Sequence, residues 1–220
     1  MIAYFSEIDF GTNNKTFVLV IDTGSSDTWI PSDSCKSRAC KIHSTYGDKD
    51  STAFASSGRQ FDIKYGTGDV VGTVVSDVLS FAGFTMNMSF GLATQVSDDF
   101  IHFPIDGILG LGFTEANQQG VATIMDELVN QNKISRKLFG IALSRAADGV
   151  DDGVLNFGAV DPALYDGEIK FAPSISQYGL WELAVDSATV DGQPIASTAR
   201  TAIIDTGTSL VRPFPVSFLP

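Results

Sequence analysis

Apolar and polar positions alternate along most of the chain in short runs, the pattern of strands rather than helices. Residues 4–21 read as two strands around the hairpin turn Gly11-Thr12-Asn13-Asn14, the second ending in the unbroken apolar run Phe17-Val18-Leu19-Val20-Ile21. Trp29-Ile30-Pro31 is a further strand closed by proline. Residues 35–58, rich in Ser, Lys and Gly, predict a loop and surface turns. Phe61-Asp62-Ile63-Lys64-Tyr65 then alternates with period two, Gly66-Thr67-Gly68 turns, and 70–75 resumes: a β-hairpin with a glycine-rich tip. Further strands are predicted at 78–81, 84–88, 90–94, 139–143, 153–157, 181–185, 188–190 and 202–204. Val121, Ile124, Met125, Leu128 and Val129 fall at helical spacing and predict one main helix, roughly 121–131, whose apolar stripe is core. The fold class expected is all-β.

One five-residue stretch occurs twice. Asp22-Thr23-Gly24-Ser25-Ser26 and Asp205-Thr206-Gly207-Thr208-Ser209 each follow an apolar strand. A single copy is equally well a structural turn, with Asp accepting backbone N–H bonds and Gly supplying positive φ. Two copies behind equivalent strands allow two carboxylates to face each other. Like charges brought close cannot both ionise, so such a pair offers an acid and a base in one site.

Composition narrows the function classes. The chain of 220 residues is 44% apolar, ample for a core, and carries a formal net charge of −12. Its 14 Lys and Arg are not clustered, which disfavours nucleic-acid binding. The acidic balance suits acidic surroundings, where self-repulsion falls, and equally suits ordinary surface solubility. No apolar run approaches the ~18 residues of a membrane span. Gly66, Gly68 and Gly72 miss a dinucleotide-binding spacing by one residue and open no helix. Cys35 and Cys40 fit a short disulfide loop; with His43 they also make three members of a metal site that lacks a fourth. Asn14-Lys15-Thr16 and Asn87-Met88-Ser89 are glycosylation sequons. The start, Met1-Ile2-Ala3-Tyr4-Phe5, lacks the basic region and long apolar core of a signal peptide.

The motifs together resemble the pepsin-like aspartic proteases. The matching stretches are Asp22-Thr23-Gly24-Ser25-Ser26, Trp29, Tyr65-Gly66-Thr67-Gly68, Asp106-Gly107-Ile108-Leu109-Gly110-Leu111-Gly112 and Asp205-Thr206-Gly207-Thr208-Ser209, in the family's order from about residue 4 to 210. The resemblance implies a bilobal fold with a β-hairpin flap, with 168–171 as the strand that carries the chain across to the second lobe. Residues 1–170 would be the N-terminal lobe and 171–220 part of a C-terminal lobe, expected to be incomplete. It implies Asp22 and Asp205 as the catalytic pair, Ser25 and Thr208 bonding the outer carboxylate oxygens, and Thr23 and Thr206 tying the turns together. Gly24 and Gly207 would let substrate backbone approach; Tyr65, Gly66 and Thr67 would cover it; Trp29 would hydrogen-bond the flap tyrosine. Ile108-Leu109-Gly110 would brace the first turn, and Cys35–Cys40 would be a disulfide. The implied activity is an endopeptidase acting on protein or peptide substrates at acidic pH, without cofactor or metal. It would be a monomer when complete, in a secreted or vacuolar/lysosomal-type compartment, and made with a signal and propeptide not present here.

Departures from the family pattern cluster at the end. The resemblance stops after Leu210, and the last eight residues hold three prolines, Pro213, Pro215 and Pro220, which suit neither strand nor helix. Ser197-Thr198-Ala199 stand where the family carries a small disulfide loop. A second reading is therefore a catalytically inactive or peptide-binding fragment. A glycosidase using two carboxylates is a third, but its carboxylates have no need of duplicated Asp-Thr-Gly turns.

Overall fold

The structure, a computed structural model, describes residues 4–144, 147, 149, 153–194 and 200–209. The apolar run before Asp22 does what its pattern predicts. β1 (Phe5–Phe10) and β2 (Lys15–Asp22) pair antiparallel across the expected turn. β3 (Trp29–Pro31), β4 (Ala55–Lys64), β5 (Asp69–Phe81), β6 (Phe84–Val96) and β7 (Gly107–Gly110) join them in one seven-stranded sheet, ordered β1-β2-β7-β3-β6-β5-β4. β1 also pairs with β5, so the sheet curls back on itself. Two pairings are parallel, β2 with β7 and β3 with β6. Inside the curl, Phe10, Phe17, Tyr46 and Phe90 stack edge-on around Leu19, Leu109 and Leu111.

The helix α1 (Ile124–Asn130) is shorter than its apolar spacing suggests. Thr123 caps it, accepting from the Asp126 N–H, while the Asp126 carboxylate accepts from the Thr123 N–H. That box fixes the first turn after Val121, which packs on a different cluster. Ile124 and Leu128 enter the main core.

Several expected boundaries move. The stretches 70–75 and 78–81 are one strand, β5, because Asp77 between them is buried and satisfied: its carboxylate accepts from the Tyr46 and Ser51 hydroxyls and the Val78 N–H. β6 likewise joins 84–88 to 90–94. β4 starts at Ala55, inside the stretch expected to be loop; its first six residues are exposed and show no apolar alternation, and pairing with β5 is what makes them strand. β8 (Phe139–Ala142) and β9 (Val154–Phe157) form their own hairpin, attached through Phe157 against Phe81 and Phe84.

Beyond β9 the regular structure thins. Residues 168–171, expected to be a strand, form none: no strand among the described residues runs alongside, and Phe171 is 91% exposed. β10 (Glu182–Ala184) pairs with β13 (Thr201–Ile203), and β11 (Thr189–Val190) with β12 (Gln193–Pro194). The proline-rich stretch 211–220 and residues 197–199 lie outside the described residues. Among those described, no helix is long and apolar enough to cross a membrane.

Candidate active site

Asp22 stands at the end of β2, where the ladder to β7 sets it opposite Gly110. The Leu111 N–H donates to the Asp22 carbonyl at 2.7 Å and the Gly112 N–H to that of Ser25 at 2.8 Å, so residues 107–112 hold the turn from below. The carboxylate is almost wholly buried. Its Oδ1 accepts from the Gly24 N–H at 2.9 Å, and its Oδ2 from the Ser25 hydroxyl. A second grip follows the turn. Asp27, fully buried, accepts the N–H groups of Gln118 and Gln119 at 3.0 and 2.8 Å. Asn117 and Gln119 donate their side-chain amides to the carbonyls of Ser26 and Thr28. Burial raises the Asp27 carboxyl above its ordinary value, against the lowering effect of those two N–H bonds. Sequence reading passed over Asp27, Asn117 and Gln119, because their roles depend on a contact some ninety residues apart in the chain.

The second turn repeats the first. The Gly207 N–H donates to Asp205 Oδ1 at 2.8 Å, and the Thr208 hydroxyl donates to Oδ2. The turns are bonded to each other reciprocally. The Thr23 N–H donates to Thr206 Oγ1 at 3.1 Å and the Thr206 N–H to Thr23 Oγ1 at 3.0 Å. Each threonine hydroxyl then donates across to the carbonyl that precedes the other aspartate, Thr23 to Ile204 and Thr206 to Ile21. This exchange is a local twofold arrangement, and it brings each carboxylate against the glycine of the opposite turn. A Cβ on Gly24 would fall 2.5 Å from the Asp205 carboxyl carbon, and one on Gly207 would collide with the Asp22 carboxylate. Only glycine permits that approach.

The Asp22 carboxyl is pushed up from its ordinary 3.8 to about 7, first by burial and next by the charge of Asp205; the Ser25 and Gly24 hydrogen bonds oppose the shift. A carboxyl so placed keeps its proton into the acidic and near-neutral range.

The hairpin tip between β4 and β5 closes with the Tyr65 N–H donating to the Gly68 carbonyl at 2.9 Å, leaving Gly66 and Thr67 exposed. Trp29, buried on β3, donates its indole N–H to the Tyr65 hydroxyl at 2.9 Å. Phe100 stands edge-on to both rings, 5.4 Å from Trp29 and 6.2 Å from Tyr65. The Tyr65 hydroxyl is pushed well above its ordinary value by burial and by the carboxylates of Asp27 and Asp22. Cys35 and Cys40 are bonded to each other and pack in the cluster that contains Trp29, while His43 turns to the Phe100 carbonyl and Asp106. One contact was not expected. Trp181 donates its indole N–H to the Leu111 carbonyl at 2.9 Å, and Phe113 bonds to Gly179, so residues 179–181 ride on the segment that braces Asp22.

A family model for eukaryotic aspartyl protease matches residues 3–216. The chain belongs to the eukaryotic aspartyl protease family. Relatives agree with that placement. The chain is similar to the "Probable aspartic-type endopeptidase CTSD" of Arthroderma benhamiae, 38% identical over 95% of this chain and 41% of that protein. It is similar to the embryonic pepsinogen of Gallus gallus, 39% identical over 94% of this chain and 54% of that protein. Pepsin A of Canis lupus familiaris is 36% identical, with 94% and 54% covered. The chain thus spans about half the length of the curated relatives it matches.

Proposed function

We propose that this chain carries the catalytic centre of an aspartic endopeptidase that hydrolyses peptide bonds in proteins at acidic pH. The observation that carries the reading is the reciprocal Thr23–Thr206 bonding, which sets Asp22 and Asp205 face to face. A water held between the two carboxylates loses its proton to Asp205, the general base. Asp22, kept protonated by burial and by its charged neighbour, gives a proton to the scissile carbonyl oxygen. The attack proceeds without a covalent intermediate. Gly24 and Gly207 leave room for an extended peptide backbone, whose hydrogen bonds supply affinity. Tyr65, Gly66 and Thr67 close over it and exclude water, with Trp29 holding the tyrosine.

In this reading residues 1–170 are the first lobe and 171–220 belong to the second. The enzyme acts as a monomer on protein substrates in a secreted or vacuolar/lysosomal-type compartment. In a chain continued to the length of its relatives, Asp22→Asn and Asp205→Asn each lower kcat at pH 3–5 by at least about 1,000-fold, and a statine-type transition-state analogue blocks the parent. Turnover retained in either variant overturns the mechanism. The exposure of Ile203 and Ile204 beside Asp205 favours a second reading, a peptide-binding segment without turnover of its own. Binding of that analogue without hydrolysis distinguishes it.

A further inference from the structure

We infer that Asn14 is an N-glycosylation site, at the tip of the β1–β2 hairpin. The sequon Asn14-Lys15-Thr16 begins where the turn returns to the strand. Asn14 is exposed, with φ at 52°, and among the described residues its side-chain amide has no hydrogen-bond partner. The tip is fixed rather than loose: the Gly11 N–H donates to the Val78 carbonyl at 2.8 Å and the Thr12 N–H to the Ser51 hydroxyl at 3.0 Å. A glycan there projects into solvent from a rigid base. The amide stands eight residues from Asp22 along an extended strand, roughly 27 Å at about 3.4 Å per residue, so the sugar leaves the carboxylate pair untouched.

The other sequon is placed differently. Asn87 lies within β6 between the buried Met86 and Met88, and the Gln131 side chain clamps its backbone, accepting from the N–H at 3.2 Å and donating to the carbonyl at 2.6 Å. Asn87 is itself exposed, but it sits inside a paired strand rather than at a turn. The two sequons thus differ in backbone setting, one at a turn and one within a strand, and the inference is confined to the hairpin tip.

The hydroxyl of the sequon is engaged in the folded state. Thr16 donates its hydroxyl to Asp9 Oδ1 at 2.7 Å, across the ladder that pairs the two residues. The bond is solvent-exposed and engages the hydroxyl only once β1 and β2 pair, so it does not bar recognition of the sequon. The amide nitrogen of Asn14 attacks the anomeric carbon of a lipid-linked oligosaccharide. A C–N bond forms, the C–O bond to the lipid pyrophosphate breaks, the pyrophosphate leaves with the electron pair, and the amide proton passes to a base of the transferase.

The inference rests on the secretory compartment proposed above. The Cys35–Cys40 disulfide belongs to the same oxidising surroundings. The test imposes that compartment: the full chain is secreted by a eukaryotic host behind a cleavable leader, and peptides are mapped by mass after glycosidase treatment in heavy-oxygen water. The expected result is the heavy label at Asn14. Asn14→Gln and Thr16→Ala each lose one glycan's mass, and Asp9→Ala, which frees the Thr16 hydroxyl, keeps it. An unlabelled Asn14 in secreted chain whose disulfide is formed overturns the site, as does label at Asn87 alone. Neither outcome depends on peptidase activity, so the endopeptidase reading stands or falls separately.

Discussion

Asp22 and Asp205 close turns of nearly the same sequence with the same internal hydrogen bonds, on unequal supports. Ile21, just before the first, is 7% exposed; Ile204, just before the second, is 54% exposed. The strand under Asp22 is flanked on both sides, by β1 and by β7, and the segment 111–112 closes over the turn. The strand under Asp205 is three residues long and, among the described residues, pairs only with β10. Beneath it opens an apolar groove of about 380 Å³ between Phe139, Ile141, Leu143, Trp181, Leu183 and Ile204. The five-residue sequence therefore sets the local bonding of each turn, while the neighbouring strands set its burial. The second turn holds its place mainly through Thr23 and Thr206.

The largest expected consequence is a pH dependence. The Asp22 carboxyl sits at about 7 in the folded chain against an ordinary 3.8. Between those values the unfolded state releases the proton and the folded state keeps it. The contribution of Asp22 to stability is therefore fully present below about pH 4 and falls as pH rises toward 7, by a total on the order of 4 kcal/mol at about 1.4 kcal/mol per pH unit. Asp27, also raised by burial, acts with the same sign. Urea unfolding from pH 3 to 8 checks this: Asp22→Asn flattens the slope to the part due to Asp27, and an unchanged slope contradicts the assignment.

Truncating the two isoleucines breaks the comparison directly. Ile21→Ala empties a buried site and costs about 2–5 kcal/mol. Ile204→Ala removes an exposed side chain and stays within about 0.5 kcal/mol. Equal losses in denaturant midpoints would show that the second turn is as well packed as the first. A smaller effect belongs to the helix cap in the better-supported region. Thr123→Ala costs about 1 kcal/mol. Burial alone would raise the Asp126 carboxyl, but its bonds to Lys137, Thr114 and Thr123 outweigh that and hold it at about 2. Its contribution is present above pH 4 and lost as pH falls toward 2, opposite in sign to that of Asp22. Thermal melts of Asp126→Asn between pH 2 and 6 read it.

Legibility from sequence follows the same divide. The aspartate turns and the hairpin tip at Tyr65 were readable because strand, turn and apolar run are local signals, whereas the bracing role of Ile108-Leu109-Gly110 came only from the family resemblance. Asp27, Gln119 and Trp181 were not, since each acts through a partner distant in sequence. The start of β4 was missed because Ala55 to Gly58 carry no apolar alternation and are strand only by pairing. The strand that the resemblance implies at 168–171 does not form, because among the described residues no neighbour supplies the ladder.

The central claim is that catalysis needs Asp205 supported as firmly as Asp22. Measuring kcat/KM at acidic pH for the 220-residue chain, its disulfide formed, beside a version continued to the length of its relatives tests it most directly. An ångström-scale displacement of one carboxylate lowers rate about 100-fold, so the 220-residue chain is expected to fall at least that far below the longer one. Comparable values for the two would contradict the account.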